Sequence, residues 1–184
     1  MISLMLEYIK DEEDVFWCLH KIMLENNWRQ YYVNNMPRMH YAHQRVEAIF
    51  GHSFPEICKR LDTTEMYAIC NSIATNLIMS IFTSKVPVWI SKRCFEFYLW
   101  KDNGEDCLFD LLESVLVSMR DKMQNMETGD LEMYLIHHKF VEDCFNEAKG
   151  TDNWIHIFKY QRKMSYEKQI ALDSASGDKK NAVR

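Results

Sequence analysis

Residues 87–109 read PVWISKRCFEFYLWKDNGEDCLF, and this stretch decides the fold. Pro87 suits the first turn of a helix, where a missing N–H costs nothing. Beyond it Trp89, Ile90, Cys94, Phe95, Phe97 and Tyr98 surround the helical axis, which predicts a helix buried on most sides. Asn103-Gly104 is a turn signal. After it Leu108, Leu111, Leu112, Val115, Leu116 and Met119 recur at helical spacing, and the segment ends in basic Arg120 and Lys122, which favour a helix C-terminus. The pattern is two apolar helices joined by a tight turn.

Working outward, the same period recurs. Residues 11–14 form an acidic cluster suited to a helix N-terminus, and Val15, Phe16, Leu19, Ile22 and Met23 give the following helix an apolar face. Asn26-Asn27 and Asn34-Asn35 bracket a short irregular segment. Pro37 opens another helix with Met39, Val46, Ile49 and Phe50 on one face and Gly51 at its C′ position. Ser53-Phe54-Pro55-Glu56 has the form of a capping box. Thr64 caps a helix predicted to run to about Phe82, largely buried, through Tyr67, Ile69, Cys70, Ile73, Leu77 and Ile81. Thr128-Gly129-Asp130 breaks the chain, and Leu131, Tyr134, Leu135, His138, Val141 and Phe145 then define one helix. A last helix is expected after Thr151 or Asp152, carrying Trp154, Ile155, Phe158 and Met164. The expectation is an all-α domain of about eight to ten helices over residues 1–173, followed by a polar tail at 174–184 that lacks periodicity.

Composition agrees with a helical fold and excludes several functions. Of 184 residues, 47% are apolar, enough for a substantial core, while five glycines and three prolines are too few for many short strands. A net charge of −5 gives no general attraction to nucleic acid or anionic lipid. No run of about 18 apolar residues predicts direct membrane insertion, and residues 1–14 lack the features of a signal peptide. The six cysteines are widely spaced in apolar contexts, so buried free thiols and a cytoplasmic setting are expected.

Chemistry-bearing constellations are sparse. His40 and His43 lie one helical turn apart but lack Cys or carboxylate partners for a metal site, so they read as a polar helix face. His137 and His138 are adjacent, so one faces the core and the other solvent. Cys18 and His20 point in different directions on a helix and do not make a nucleophile pair. No glycine-rich phosphate loop occurs. No catalytic residue, metal site or cofactor is therefore expected. Trp28, Arg29, Tyr31 and Tyr32, with Tyr8 nearby in character, have the composition of interface anchors.

Several segments together resemble the TBC domain, the family of GTPase-activating proteins for Rab GTPases. Pro87, then Arg93, Phe95 and Glu96, then Gly104, Glu105, Leu108 and Phe109 are similar to its proline, Arg-x-aromatic-acidic step, and Gly-acidic turn before Leu-Phe. Residues 12–23, EEDVFWCLHKIM with Phe16 and Trp17, resemble its acidic and Phe-Trp helix. Residues 53–68, with Pro55 and Tyr67, and residues 77–87, with Phe82, follow in the family's order. Leu77 stands where the family has Trp, and Phe95-Glu96 where it has Trp-Asp; both changes keep the apolar or acidic character.

The resemblance implies an all-α fold, a role in vesicle trafficking and a Rab-type GTPase as partner. It also implies where catalysis would reside: an arginine finger in Ile-x-x-Asp-x-x-Arg and a glutamine finger in Tyr-x-Gln-Gly-Met. Neither motif occurs in this sequence; Gln44 and Gln161 both lie outside Tyr-x-Gln-Gly. Met1-Ile2-Ser3 aligns with the residue that closes the glutamine motif, so the chain is expected to correspond to the family's C-terminal lobe. Arg93 is read as pairing with Glu96 three positions on. The resulting expectation is a non-catalytic binding or scaffold protein, cytoplasmic and held peripherally on an organelle or larger assembly through a partner. The alternatives are a portion of a Rab activator whose fingers lie outside this chain, and an unrelated helical scaffold.

Overall fold

A computed structural model of the chain describes residues 1–100 and 104–148, which form ten α-helices and no strand. In order these are α1 (Ile2–Tyr8), α2 (Glu12–Leu24), α3 (Pro37–Ser53), α4 (Pro55–Cys58), α5 (Thr63–Ile73), α6 (Val88–Trp100), α7 (Asp106–Ser118), α8 (Arg120–Gln124), α9 (Thr128–Ile136) and α10 (Lys139–Ala148). A 3₁₀ turn, Trp28–Tyr31, stands between α2 and α3, and a π-turn, Ala74–Ile78, follows α5. The helix expected after Thr151 or Asp152, the tail and the domain boundary lie outside the described residues.

Side-chain capping sets the starts of α2 and α5. Asp62 accepts from the backbone N–H of Thr64 at 2.7 Å and of Glu65 at 2.8 Å, while Glu65 accepts from the Asp62 N–H at 2.7 Å. That reciprocal box satisfies donors that the first turn would otherwise leave orphaned. Asp11 caps α2 through the Glu13 N–H at 2.9 Å, and three acids fill that helix's first turn. Pro37 occupies the first turn of α3.

The core is centred on α7. Cys107, Leu108, Phe109, Leu111, Leu112, Val115 and Leu116 are all buried, with Glu113 and Ser114 among them. Helices α3, α8 and α10 pack on α7, α5 packs on α3 and α9, and the 28–31 turn packs on α2 and α3. Buried Phe50, Phe54, Phe82, Phe140 and Phe145 belong to the same hydrophobic core.

Several sequence expectations need correction. The helix expected to reach Phe82 ends at Ile73. Met79 N–H then bonds the Ala74 carbonyl at 2.9 Å in the wider π pattern, and Phe82 N–H bonds the Leu77 carbonyl at 2.6 Å. Side chains take carbonyls from the helical ladder here: the Ser80 hydroxyl donates to the Asn76 carbonyl, and Thr83 donates to the Ser80 carbonyl at 2.6 Å. Ile81 and Phe82 then adopt left-handed φ of 55° and 54°, held there by complete burial. Ser53 does not cap α4; it is the last residue of α3, and its hydroxyl donates to Glu113 at 2.6 Å. Gly51 lies inside α3 rather than after it. The break expected at Thr128-Gly129-Asp130 falls just before it, at residues 125–127, and those three residues form the first turn of α9. The one helix expected from Leu131 to Phe145 is itself interrupted at His138, whose φ of 56° separates α9 from α10. All six cysteines are free, but Cys18 is exposed and Cys58 half-buried. Burial pushes the Cys70 thiol up to about 12, so the core thiols are unreactive packing groups.

Candidate partner-binding site

The turn at the centre of the opening segment is built around Gly104 and Glu105. Gly104 has φ +54°, a conformation that glycine adopts without a Cβ penalty. The turn delivers Glu105 as the N-cap of α7, with its side chain buried. There the Tyr31 hydroxyl donates to one carboxylate oxygen, and Arg38 Nε and Nη2 donate to the other. Burial pushes the Glu105 carboxyl up to about 8, and neighbouring Asp106 adds to the push. The Arg38 guanidinium, about one-third in solvent, opposes it by binding the ionised form. Arg38 also lies 4.9 Å from the Tyr41 ring centroid, and Arg45 lies 5.0 Å from that of Phe109 while pairing with Asp106 at 3.5 Å.

Beside this turn, a cleft of about 630 Å³ opens between α1, α2 and α6. Met5, Ile9, Ile22, Phe95 and Leu99 form its apolar walls, and Tyr8, Lys21, Asn26 and Glu96 its polar edge. The Tyr8 hydroxyl donates to Glu96 at 2.9 Å, and Arg93 donates to the other Glu96 oxygen at 3.0 Å. The (i, i+3) pairing expected for Arg93 is thus present. Asn26 donates to the Tyr98 hydroxyl at 2.8 Å, and Lys21 pairs with Glu25 at 3.7 Å. Such a surface supports recognition by apolar contact with polar edges.

The remaining sequence-derived residues divide between core and surface, not always as expected. Phe95 and Phe109 are buried, and Phe82 is fully so. Pro87 precedes α6 and accepts from the Ile90 and Ser91 N–H groups at 3.0 Å. Pro55 opens α4. Phe16 and Trp17, read as packing residues, are instead 58% and 56% exposed on α2. Their rings meet edge-on at 5.4 Å, and Trp17 meets His20 at 5.5 Å. Tyr67, expected on a buried face, is exposed and rests against His43 at 4.7 Å. The expected interface set also splits. Trp28 and Tyr31 are only 1% exposed, because their polar atoms find buried partners: Trp28 Nε1 donates to the Met79 carbonyl at 3.0 Å, and Tyr31 to Glu105. Arg29 and Tyr32 remain at the surface.

Sequence reasoning missed the Tyr31–Glu105–Arg38 cluster, whose members stand 67 and 74 positions apart. It also missed the environment of His138. As expected of the adjacent pair, His137 is exposed and His138 buried. His138 Nε2 lies 3.4 Å from the Ser72 hydroxyl, and burial lowers its imidazole to about 4. No group of three or more His, Cys, Asp or Glu side chains suited to a metal occurs among the described residues. No helix of the described residues is long and apolar enough to cross a membrane.

Comparison with known families gives a match to the Rab-GTPase-TBC domain over residues 1–124. No curated protein and no solved structure matches.

Proposed function

Because the chain belongs to the Rab-GTPase-TBC domain family, we propose that it engages a Rab-type small GTPase by binding, without accelerating hydrolysis itself. The match also removes the alternative of an unrelated helical scaffold. The family's chemistry depends on an arginine that reaches out of the activator to stabilise charge on the transferring phosphoryl group, together with a residue that orients the attacking water. The observation that carries the proposal is that five of the six arginines among the described residues are tied into the fold, while the sixth, Arg29, lies at the surface outside either finger motif. Arg38 is held by Glu105, Arg45 by Asp106 and Arg93 by Glu96. Arg60 donates to the carbonyls of Met123, Gln124 and Met126, and Arg120 to that of Ser53. Each of these arginines would have to leave its contacts before it reached a partner's nucleotide, at little cost for the exposed Arg93–Glu96 pair and at more for the part-buried Arg38–Glu105 pair. The sequence also contains neither finger motif.

On this reading the family-like segments are retained as a packing framework equivalent to the family's C-terminal lobe, and the α1–α2–α6 cleft with its exposed aromatic flank supplies contact area. Attachment to a membrane would then pass through the partner. The family's own activity favours a second reading, in which finger residues supplied outside this chain complete an activator.

Single-turnover GTP hydrolysis by a panel of Rab-type GTPases, with and without an excess of the purified chain, tests the proposal. The expected result is a rate within a few-fold of the intrinsic one. Acceleration approaching the roughly 10³–10⁵-fold of an arginine finger would overturn it.

A further inference from the structure

Between α2 and α3, residues 26–36 read NNWRQYYVNNM. In a chain of net charge −5, this stretch has no carboxylate, and Arg29 is its one charged residue. The loop is fastened from beneath through Asn26, Trp28 and Tyr31, and the half-exposed Tyr32 also reaches the Met79 carbonyl with its hydroxyl at 3.5 Å. Asn26 donates to the Tyr98 hydroxyl at 2.8 Å, Trp28 to the Met79 carbonyl at 3.0 Å, and Tyr31 to buried Glu105. Trp28 further packs edge-on against Tyr98, with ring centroids 5.6 Å apart. These anchors come from α6, from the segment after the π-turn and from the start of α7, so the loop is held by three distant parts of the chain.

Its backbone is also unusual. Asn27, Asn35 and Met36 all have positive φ, at 55°, 65° and 37°. Asparagine tolerates the left-handed region, but methionine seldom enters it unless its surroundings impose the geometry. With Trp28 and Tyr31 turned inward, the loop leaves Arg29, Tyr32 and Met36 outward. Tyr32 is 54% and Met36 49% exposed, and Arg29 has no partner among the described residues. Arginine, tyrosine and methionine are among the side chains enriched where proteins meet. A fastened loop also loses little conformational freedom when it binds.

We propose that residues 26–36 form a preorganised docking loop for a protein segment that brings a carboxylate to Arg29 and an aromatic or aliphatic side chain to Tyr32 and Met36. The carboxylate follows from charge: the loop offers one guanidinium with no acid of its own to neutralise it. The apolar neighbour follows from the two large side chains left in solvent. This assignment stands whether or not the partner is a GTPase.

Selection of a displayed library of random peptides against the whole chain tests it. Enriched peptides should carry Asp or Glu next to an aromatic or aliphatic residue. Arg29→Glu should weaken them about 30-fold, and Tyr32→Ala should weaken them as well. Peptides with the acid changed to Lys should bind Arg29→Glu better than they bind the unchanged chain, a reversal that a structural role for Arg29 would not produce. An unchanged urea midpoint for Arg29→Glu shows that the variant is folded. Failure to enrich acidic peptides, or equal binding by Arg29→Glu, would overturn the proposal.

Discussion

Glu105 follows a left-handed glycine and binds two side chains that lie far from it in sequence, Tyr31 and Arg38. Removing the carboxylate leaves a buried phenol unpaired and a guanidinium only partly able to reach water. Glu105→Ala should therefore lower the unfolding free energy by about 2–3 kcal/mol, read from urea denaturation. Because the two changes remove the same interaction, Arg38→Ala combined with it should cost less than the sum of the single changes. His138 gives a different signature. Its pKa is lowered in the fold from 6.5 to about 4, so between those values the unfolded chain binds the proton that the folded chain refuses. The stability from keeping it neutral is present above pH 6.5 and is lost as pH falls toward 4, by up to roughly 3 kcal/mol. His138→Asn, which tolerates the left-handed backbone and does not titrate, should flatten that part of the stability–pH curve. The partners of neither residue were legible in the sequence: Glu105 read only as the acid of a Gly-acidic turn, and the apolar period carried straight through His138.

At the scale of elements, periodicity located helices well and helix ends poorly. The helix from Thr63 and the one after Pro87 were legible because their apolar residues recur at helical spacing. The end of α5 was not, because apolar residues continue through Leu77 and Ile81 while Asn76, Ser80 and Thr83 divert the backbone hydrogen bonds locally. Two changes probe these ends in opposite directions. Asp62→Ala removes the α5 capping box and should cost about 1 kcal/mol of stability. Lys85 is exposed at φ 63°, so Lys85→Gly should relieve left-handed strain and stabilise by roughly 0.5–1 kcal/mol, visible as a raised thermal midpoint. The capping boxes show the same lesson. Ser53-Phe54-Pro55-Glu56 has the letters, but Glu113 captures the serine hydroxyl across the core; Asp62 and Glu65 form the box that exists.

For the whole molecule, the family and the all-α architecture were legible from the order of segments, which no single motif could supply. The surface was not. Phe16 and Trp17 read as packing residues and lie outside, whereas Trp28 and Tyr31 read as interface anchors and lie inside. Composition does not distinguish these cases, because a buried aromatic with a polar atom needs a partner that only the tertiary fold provides, here the Met79 carbonyl and Glu105. The functional reading rests on the same global arrangement, in which five of the six arginines among the described residues are engaged by the fold. Its most direct test is to measure binding and hydrolysis on one sample, titrating the chain into a Rab-type GTPase loaded with GTP and following single-turnover phosphate release at saturation. The account predicts a saturable complex in which hydrolysis stays within a few-fold of the intrinsic rate. A complex that releases phosphate about 10³-fold faster or more would contradict it.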